Sequence, residues 1–269
     1  MNSLSTTPGK NNVGAYVNNI NLNYLEDFLT KQIKETLNKY GVVYIKKQNL
    51  DSEAYQNFAK TFGDLVAYPR LKGLDNYPYI NAIVRRPEDK SLTFGGSFFH
   101  NDNPYSGKDR PRITMLYGVE IPIGQGNTIF SSGFNAYEKL PDDIKEKIKG
   151  AIGVFSSEGP ISITRIEREK EMGIKSAKKM QAEHPIIQTV NGKKSLYISP
   201  GHLIKIKNVE EKESEKLKKF LIDHVNKDEF IFSYEWNKGD VILWDNLAVM
   251  HKASEIKNCK RVMHRITIK

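Results

Sequence analysis

Apolar positions recur at two different spacings along this chain, and the change falls near residue 110. Before it, NYLEDFLTKQIKETLNKYG (23–41) sets Leu25, Phe28, Ile33 and Leu37 near helical spacing, and Gly41 stands where helices commonly end. VVYIKK follows as a short strand. In DSEAYQNFAKTFG (51–63), Asp51 is placed to cap a second helix that turns Tyr55, Phe58 and Phe62 to one side and stops at Gly63. Beyond residue 110 come RITMLYGVE, NTIFSSG, HPIIQTV, KSLYISP, FIFSYEW, DVILWDN and VMHRITI, all rich in β-branched and aromatic residues. Asn191-Gly192 between two of them predicts a hairpin, because a two-residue type I′ turn needs positive φ at both positions. Helical stretches over 134–149 and 208–226 interrupt the strands. Residues 157–182 are charged and irregular, which predicts an excursion between strands and a candidate lid. Helices followed by at least seven strands predict a mainly β fold with flanking helices, a sandwich or jelly roll. Without repeats or a low-complexity linker, a single domain over 1–269 is expected, with 1–14 as a flexible arm.

Composition narrows the function. No apolar run is long enough to span a bilayer, and the N-terminal segment lacks the apolar stretch of a secretory signal. Cys259 is the only cysteine, so neither a disulfide framework nor a cysteine zinc cluster is available. A cytoplasmic setting is expected. The net charge of +9 could mark a nucleic-acid surface, but lysines alternate with glutamates, as in EEKESEKLKKF, and form no basic block. The expectation is no nucleic-acid partner, no membrane partner and a small-molecule substrate.

Six histidines are the candidate chemistry. His224 falls in the charged helix and reads as a surface residue. His264 and Arg265, adjacent in a strand, face opposite sides. His184 precedes Pro185 and reads as a structural hydrogen-bonder, while His202 in SPGHL could line a cleft or be solvated. His100 and Asp102, in FFHND, point to one side of a strand because its side-chain period is two. Either they cap that strand, or they chelate one ion with His251, which follows the apolar DVILWDNLAVM. Two imidazoles and one carboxylate on one face of iron would leave three positions open, the layout of non-haem Fe(II) oxygenases. Arg261 and Arg265 share a face of the last strand. Two arginines directed inward are costly unless they meet anions, which suits carboxylates.

With these pieces assembled, the chain resembles the taurine catabolism dioxygenase (TauD/TfdA) family, enzymes that use Fe(II), 2-oxoglutarate and O2. The resemblance runs from GVVYIKKQNLD to RVMHRITI and is carried by FHND (99–102), GNTIFSS (126–132), GDVILWDN (239–246), His251 and RVMHR (261–265). It implies a double-stranded β-helix, the cupin-like jelly roll, and hydroxylation of a small substrate with release of succinate and CO2. It implies His100, Asp102 and His251 as iron ligands, and Thr128 and Arg261 as the pair holding the distal carboxylate of 2-oxoglutarate. Trp244 would pack near that cosubstrate or serve the core alone. Arg265 would meet an anionic group of the substrate, and Tyr68, Arg70 and Phe99 are further candidate substrate contacts. Tyr68 stands where the taurine enzyme has a histidine, and GGSFF lacks that enzyme's asparagine-rich stretch, so taurine itself is not implied. A homo-oligomer, dimer or tetramer, is also implied. The other readings are a hydroxylase of an amino acid or betaine in biosynthesis, and a non-catalytic cupin-like protein that binds a metal or ligand.

Overall fold

The computed structural model describes residues 4–67, 71–91, 93, 95–171, 173 and 178–269. Its frame is an eight-stranded sheet. In spatial order it holds β1 (Ser5–Pro8), β2 (Ala15–Asn18), β3 (Val42–Ile45), β14 (Val241–Asp245), β6 (Ile113–Glu120), β16 (Arg261–Ile268) and β4 (Leu65–Val66), with β5 (Asn81–Arg85) also paired to β16. A second sheet sets β7 (Thr128–Ser132) between β13 (Ile231–Tyr234) and β15 (Val249–Ala253). A third joins β8 (Ile152–Ser156) to β9 (Gln181–Pro185) and β12 (Leu203–Lys207), and β10 (Ile187–Val190) pairs with β11 (Lys193–Leu196). This is the jelly-roll arrangement that the strand-rich half of the sequence predicts.

Both faces of the middle of the large sheet are buried, and the two-residue period sorts the side chains there. Val43, Ile45, Met115, Tyr117, Val241, Leu243, Ile266 and Ile268 face a core shared with Ile33 and Leu37 of α1 (Asp27–Tyr40) and Tyr55 and Phe58 of α2 (Ser52–Lys60). Their neighbours Val42, Tyr44, Leu116, Ile242, Trp244 and Met263 face the second sheet, meeting Phe130, Tyr234 and Val249. Inside the interior so formed, β16 turns Arg261, Met263 and Arg265 inward, and all three are buried. A third core lies under α3 (Gly133–Glu138) and α6 (Glu211–Val225), where Phe155, Leu196, Leu217 and Phe230 pack together.

Local signals hold closely. Gly41 ends α1 with φ 75°, Asp51 caps α2 by accepting from the Ala54 amide, and Asn191 and Gly192 take φ 49° and 80°. The helix expected over 134–149 is two short ones, α3 and α4 (Asp142–Lys147), broken where Pro141 supplies no amide proton. Residues 5–8 of the expected arm are strand, paired antiparallel with β2. The excursion expected to be irregular carries a helix, α5 (Ser162–Glu171). His224 is a further correction: it is buried, with Nε2 2.8 Å from the Ala136 carbonyl and its ring against Phe230, because α6 packs that side on the third core. Among the described residues no helix is long and apolar enough to cross a membrane.

Replacing Asp51 by Ala removes the α2 cap and should cost about 1 kcal/mol. The check is a urea titration, with the midpoint lowered and the slope unchanged.

Candidate active site

His100 and His251 are direct cross-strand partners. Each backbone amide donates to the other's carbonyl, at 3.0 and 2.9 Å, and their rings stand 4.4 Å apart between centroids. Antiparallel pairing therefore brings two imidazoles together from positions 151 residues apart in sequence. Asp102, two residues beyond His100, falls on the same side. Its amide donates to Asn246 Oδ1 at 3.0 Å, while Thr114 donates its hydroxyl to Asp102 Oδ2 at 2.6 Å. Asn246 closes the loop by donating to Thr114 Oγ1 at 2.9 Å. Asn101, on the opposite side, donates to the carbonyls of Asn246 and Val249. The result is three buried side chains whose ligand atoms all lie within 4.8 Å of one another. His100 Nδ1 lies 3.0 Å from the Phe98 carbonyl, which can only accept, so its Nε2 is the free ring nitrogen.

Electrostatics favour this cluster as a cation site. Burial lowers the pKa of His100, and burial with the neighbouring His100 brings His251 down to about 3, so both imidazoles are neutral ligands at physiological pH. Burial works against a charged Asp102. It is nonetheless held below the usual carboxylate range by His251, Arg265, His100 and the Thr114 hydrogen bond. With both histidines neutral, Arg265 (Nη1 3.8 Å from Oδ1) and Thr114 carry that effect.

A cavity adjoins the cluster, lined by Thr128, Trp244, Ala253, Arg261 and Arg265 together with all three candidate ligands. Arg261 is buried, which lowers its pKa to about 10, and its Nε and Nη2 have no hydrogen-bond partner among the described residues. Thr128 Oγ accepts from the Trp236 indole at 2.9 Å, which leaves its own proton to donate. Donors without acceptors at one end of a buried cavity fit a carboxylate. Gly126, at φ 74°, makes room: a Cβ there would lie 3.0 Å from Arg261 Cδ.

The expected residues do not all gather. His100, Asp102, His251, Thr128, Arg261 and Arg265 line the cavity. Trp244 serves both readings, since its ring lies 4.5 Å from that of His251 while the residue belongs to the inner core. Phe99 is a correction. It is buried in the third core beneath Lys252, while Phe98 is 40 % exposed, because adjacent residues in extended chain face opposite ways. Tyr68 and Arg70 lie outside the described residues. Sequence reasoning missed Thr114, Asn246, Asn101 and Trp236, whose hydrogen bonds join residues far apart in the chain. It also missed Ile161, Thr164 and Arg165, which with Tyr105 and His202 line the outer part of the site.

A jelly roll holding two histidines and a carboxylate on one face of a cavity, beside buried arginines, defines the class of non-haem iron oxygenases. The model of the "Taurine catabolism dioxygenase TauD, TfdA family" matches residues 5–267, and the chain belongs to that family. It is an Fe(II)- and 2-oxoglutarate-dependent dioxygenase. It is 29% identical to an alkylsulfatase of Acinetobacter baylyi, over 95% of this chain and 82% of that one. To an alpha-ketoglutarate-dependent sulfate ester dioxygenase of Pseudomonas putida it is 26% identical, over 98% and 89%. A solved taurine dioxygenase from Burkholderia xenovorans superposes with a TM-score of 0.82 at 26% identity, covering 99% of this chain and 89% of that one.

Burial holds all six histidines below their ordinary pKa, most strongly His202 and His251, both near 3. The unfolded chain therefore binds more protons below about pH 6.5, and stability falls as pH drops. Asp102, also depressed, adds the same sign at lower pH. Urea midpoints of the metal-free protein should be lower at pH 5.5 than at pH 7.5. Equal midpoints would show that the folded state admits those protons.

Proposed function

We propose that the enzyme hydroxylates a small organic anion whose head group is a sulfonate, sulfate ester or carboxylate. His100, Asp102 and His251 hold the iron, and Thr128 with Arg261 holds the distal carboxylate of 2-oxoglutarate. Arg265 receives the anionic end of the substrate. Bound iron supplies O2 activation, coupled to decarboxylation of 2-oxoglutarate to succinate and CO2. The protein's part is to orient the groups and exclude water.

The observation that carries this reading is the pair of buried guanidinium groups on the same inward face of β16, both opening on the cavity of the histidine–carboxylate cluster. Arg265 lies next to Asp102 and lines the outer part of the site as well, whereas Arg261 and Thr128 line the inner cavity alone, so the two arginines suit different anions. Relatives that act on sulfate esters support the anionic class. A substrate that was a bare cation would find no acidic side chain other than Asp102 among the residues lining these two cavities. A free Cys259 and the lack of other cysteines support a reducing, cytoplasmic setting.

Mixing metal-free protein anaerobically with Fe(II) and 2-oxoglutarate should produce the visible charge-transfer band of the chelate, and Asp102→Ala should abolish it. Arg261→Ala should weaken 2-oxoglutarate binding about 100-fold. Arg265→Ala should keep the band and raise KM for the substrate; losing the band instead would exchange the roles of the two arginines. Thr114→Val, which leaves Asp102 Oδ2 without its donor, should weaken metal affinity about 10–100-fold. Isothermal titration with Co(II) measures this last effect directly.

A further inference from the structure

The outer part of the site is walled by Tyr105, Ile161, Thr164, Arg165 and His202. Most polar groups there are already engaged. The Tyr105 hydroxyl donates to Asn103 Oδ1 at 2.9 Å and the Thr164 hydroxyl to the Ile161 carbonyl at 3.0 Å. Arg165 donates to both carboxylate oxygens of Glu169 and to the Ser157 carbonyl. His202 differs. Its Nδ1 lies 3.2 Å from the Ser156 carbonyl, an acceptor, so Nδ1 carries the proton and Nε2 is a bare lone pair.

That lone pair has no hydrogen-bond partner among the described residues, on a side chain only 6% exposed that lines the cavity. The ring cannot readily turn away. The His202 amide donates to the Ser199 carbonyl, and the His202 carbonyl accepts from the Ser156 amide. Its faces and edges meet the rings of His100 and Tyr105, 6.1 and 5.1 Å away between centroids. With the Nδ1 proton committed to the Ser156 carbonyl, the ring is left with Nε2 as an acceptor toward whatever fills the cavity. A ligand whose donor reaches this nitrogen gains a hydrogen bond that the described protein groups do not supply.

We propose that His202 Nε2 is a specificity-determining acceptor, and that the preferred substrate carries a hydroxyl or ammonium donor in addition to its anionic head. The proposal rests on the reading of the cavity as the place where an anionic substrate meets Arg265. It narrows the substrate class from simple anions to bifunctional ones. A site built to pair a donor discriminates strongly against an analogue without one, while gaining little on apolar bulk.

The experiment compares matched alkanesulfonates and carboxylates of equal chain length, with and without a terminal hydroxyl or ammonium, by succinate release. Wild-type enzyme should favour the donor-bearing member in kcat/KM. His202→Phe, which keeps an aromatic ring and removes the acceptor, should lower that selectivity ratio about tenfold. His202→Gln, whose Oε1 can take the place of Nε2, should restore most of it. The anaerobic chelate band and the melting temperature of each variant report on the metal site and the fold separately. A ratio that His202→Phe leaves unchanged overturns the proposal, as does a change of the chelate band without substrate, which would place Nε2 against groups on the iron. If no sulfonate or carboxylate of either kind is turned over while the band forms, the substrate reading falls and this proposal with it.

Discussion

The structure is organised around charge buried in a β interior. Arg261 and Arg265 enter it from one strand and Asp102 from a loop, and none of the three could stay there alone, because an isolated charge in low dielectric is strongly disfavoured. Asp102 is compensated by Arg265 at 3.8 Å and by the Thr114 hydroxyl. Arg261 has no ion-pair partner among the described residues, and its Nε and Nη2 find no acceptor there, which suits the cavity to an anion. The fold accepts that cost at the site, and under the function proposed above a cosubstrate carboxylate would remove it.

Around these charges the sheets act as a rigid jig. β6 carries Thr114, β14 leads into Asn246, β15 carries His251 and β16 carries both arginines, so four strands fix the groups that converge. The cross-strand pair His100–His251 aligns the two imidazoles by backbone hydrogen bonds alone, independent of any ion. Backbone pairing thus fixes the relative placement of the two rings, the kind of set geometry that catalysis by proximity requires. By contrast the outer wall comes from α5 and the turn at His202, both in connections between strands and outside the large sheet. Loops hung on a fixed scaffold are where specificity varies between relatives of one chemistry.

Much of this was legible in the sequence wherever the relevant contact is local or periodic. The caps at Gly41 and Asp51, the Asn191-Gly192 turn and the inward face of β16 follow from spacing and backbone conformation. The motifs FHND and RVMHR identified the cluster through resemblance to a known family. Elsewhere local signals misled. α6 is so rich in charge that His224 read as exposed, yet the helix buries one stripe and His224 lies on it. Phe99 sits beside His100, but strand alternation sends it to the opposite side, into a different core.

By itself, then, the chain's sequence determined its strand-rich class, its helix ends, its family and the identity of the histidine, carboxylate and arginine candidates. These depend on side-chain type and on neighbours within a few residues. Only the tertiary structure decided that Asn246 and Thr114 hold Asp102, that Trp236 occupies one lone pair of Thr128, and that His202 offers an acceptor beside His100 with no partner among the described residues. The physical reason is that each of these is a hydrogen bond, or the lack of one, between segments far apart in sequence. Such partners are chosen by strand register and sheet packing, and no local spacing encodes them.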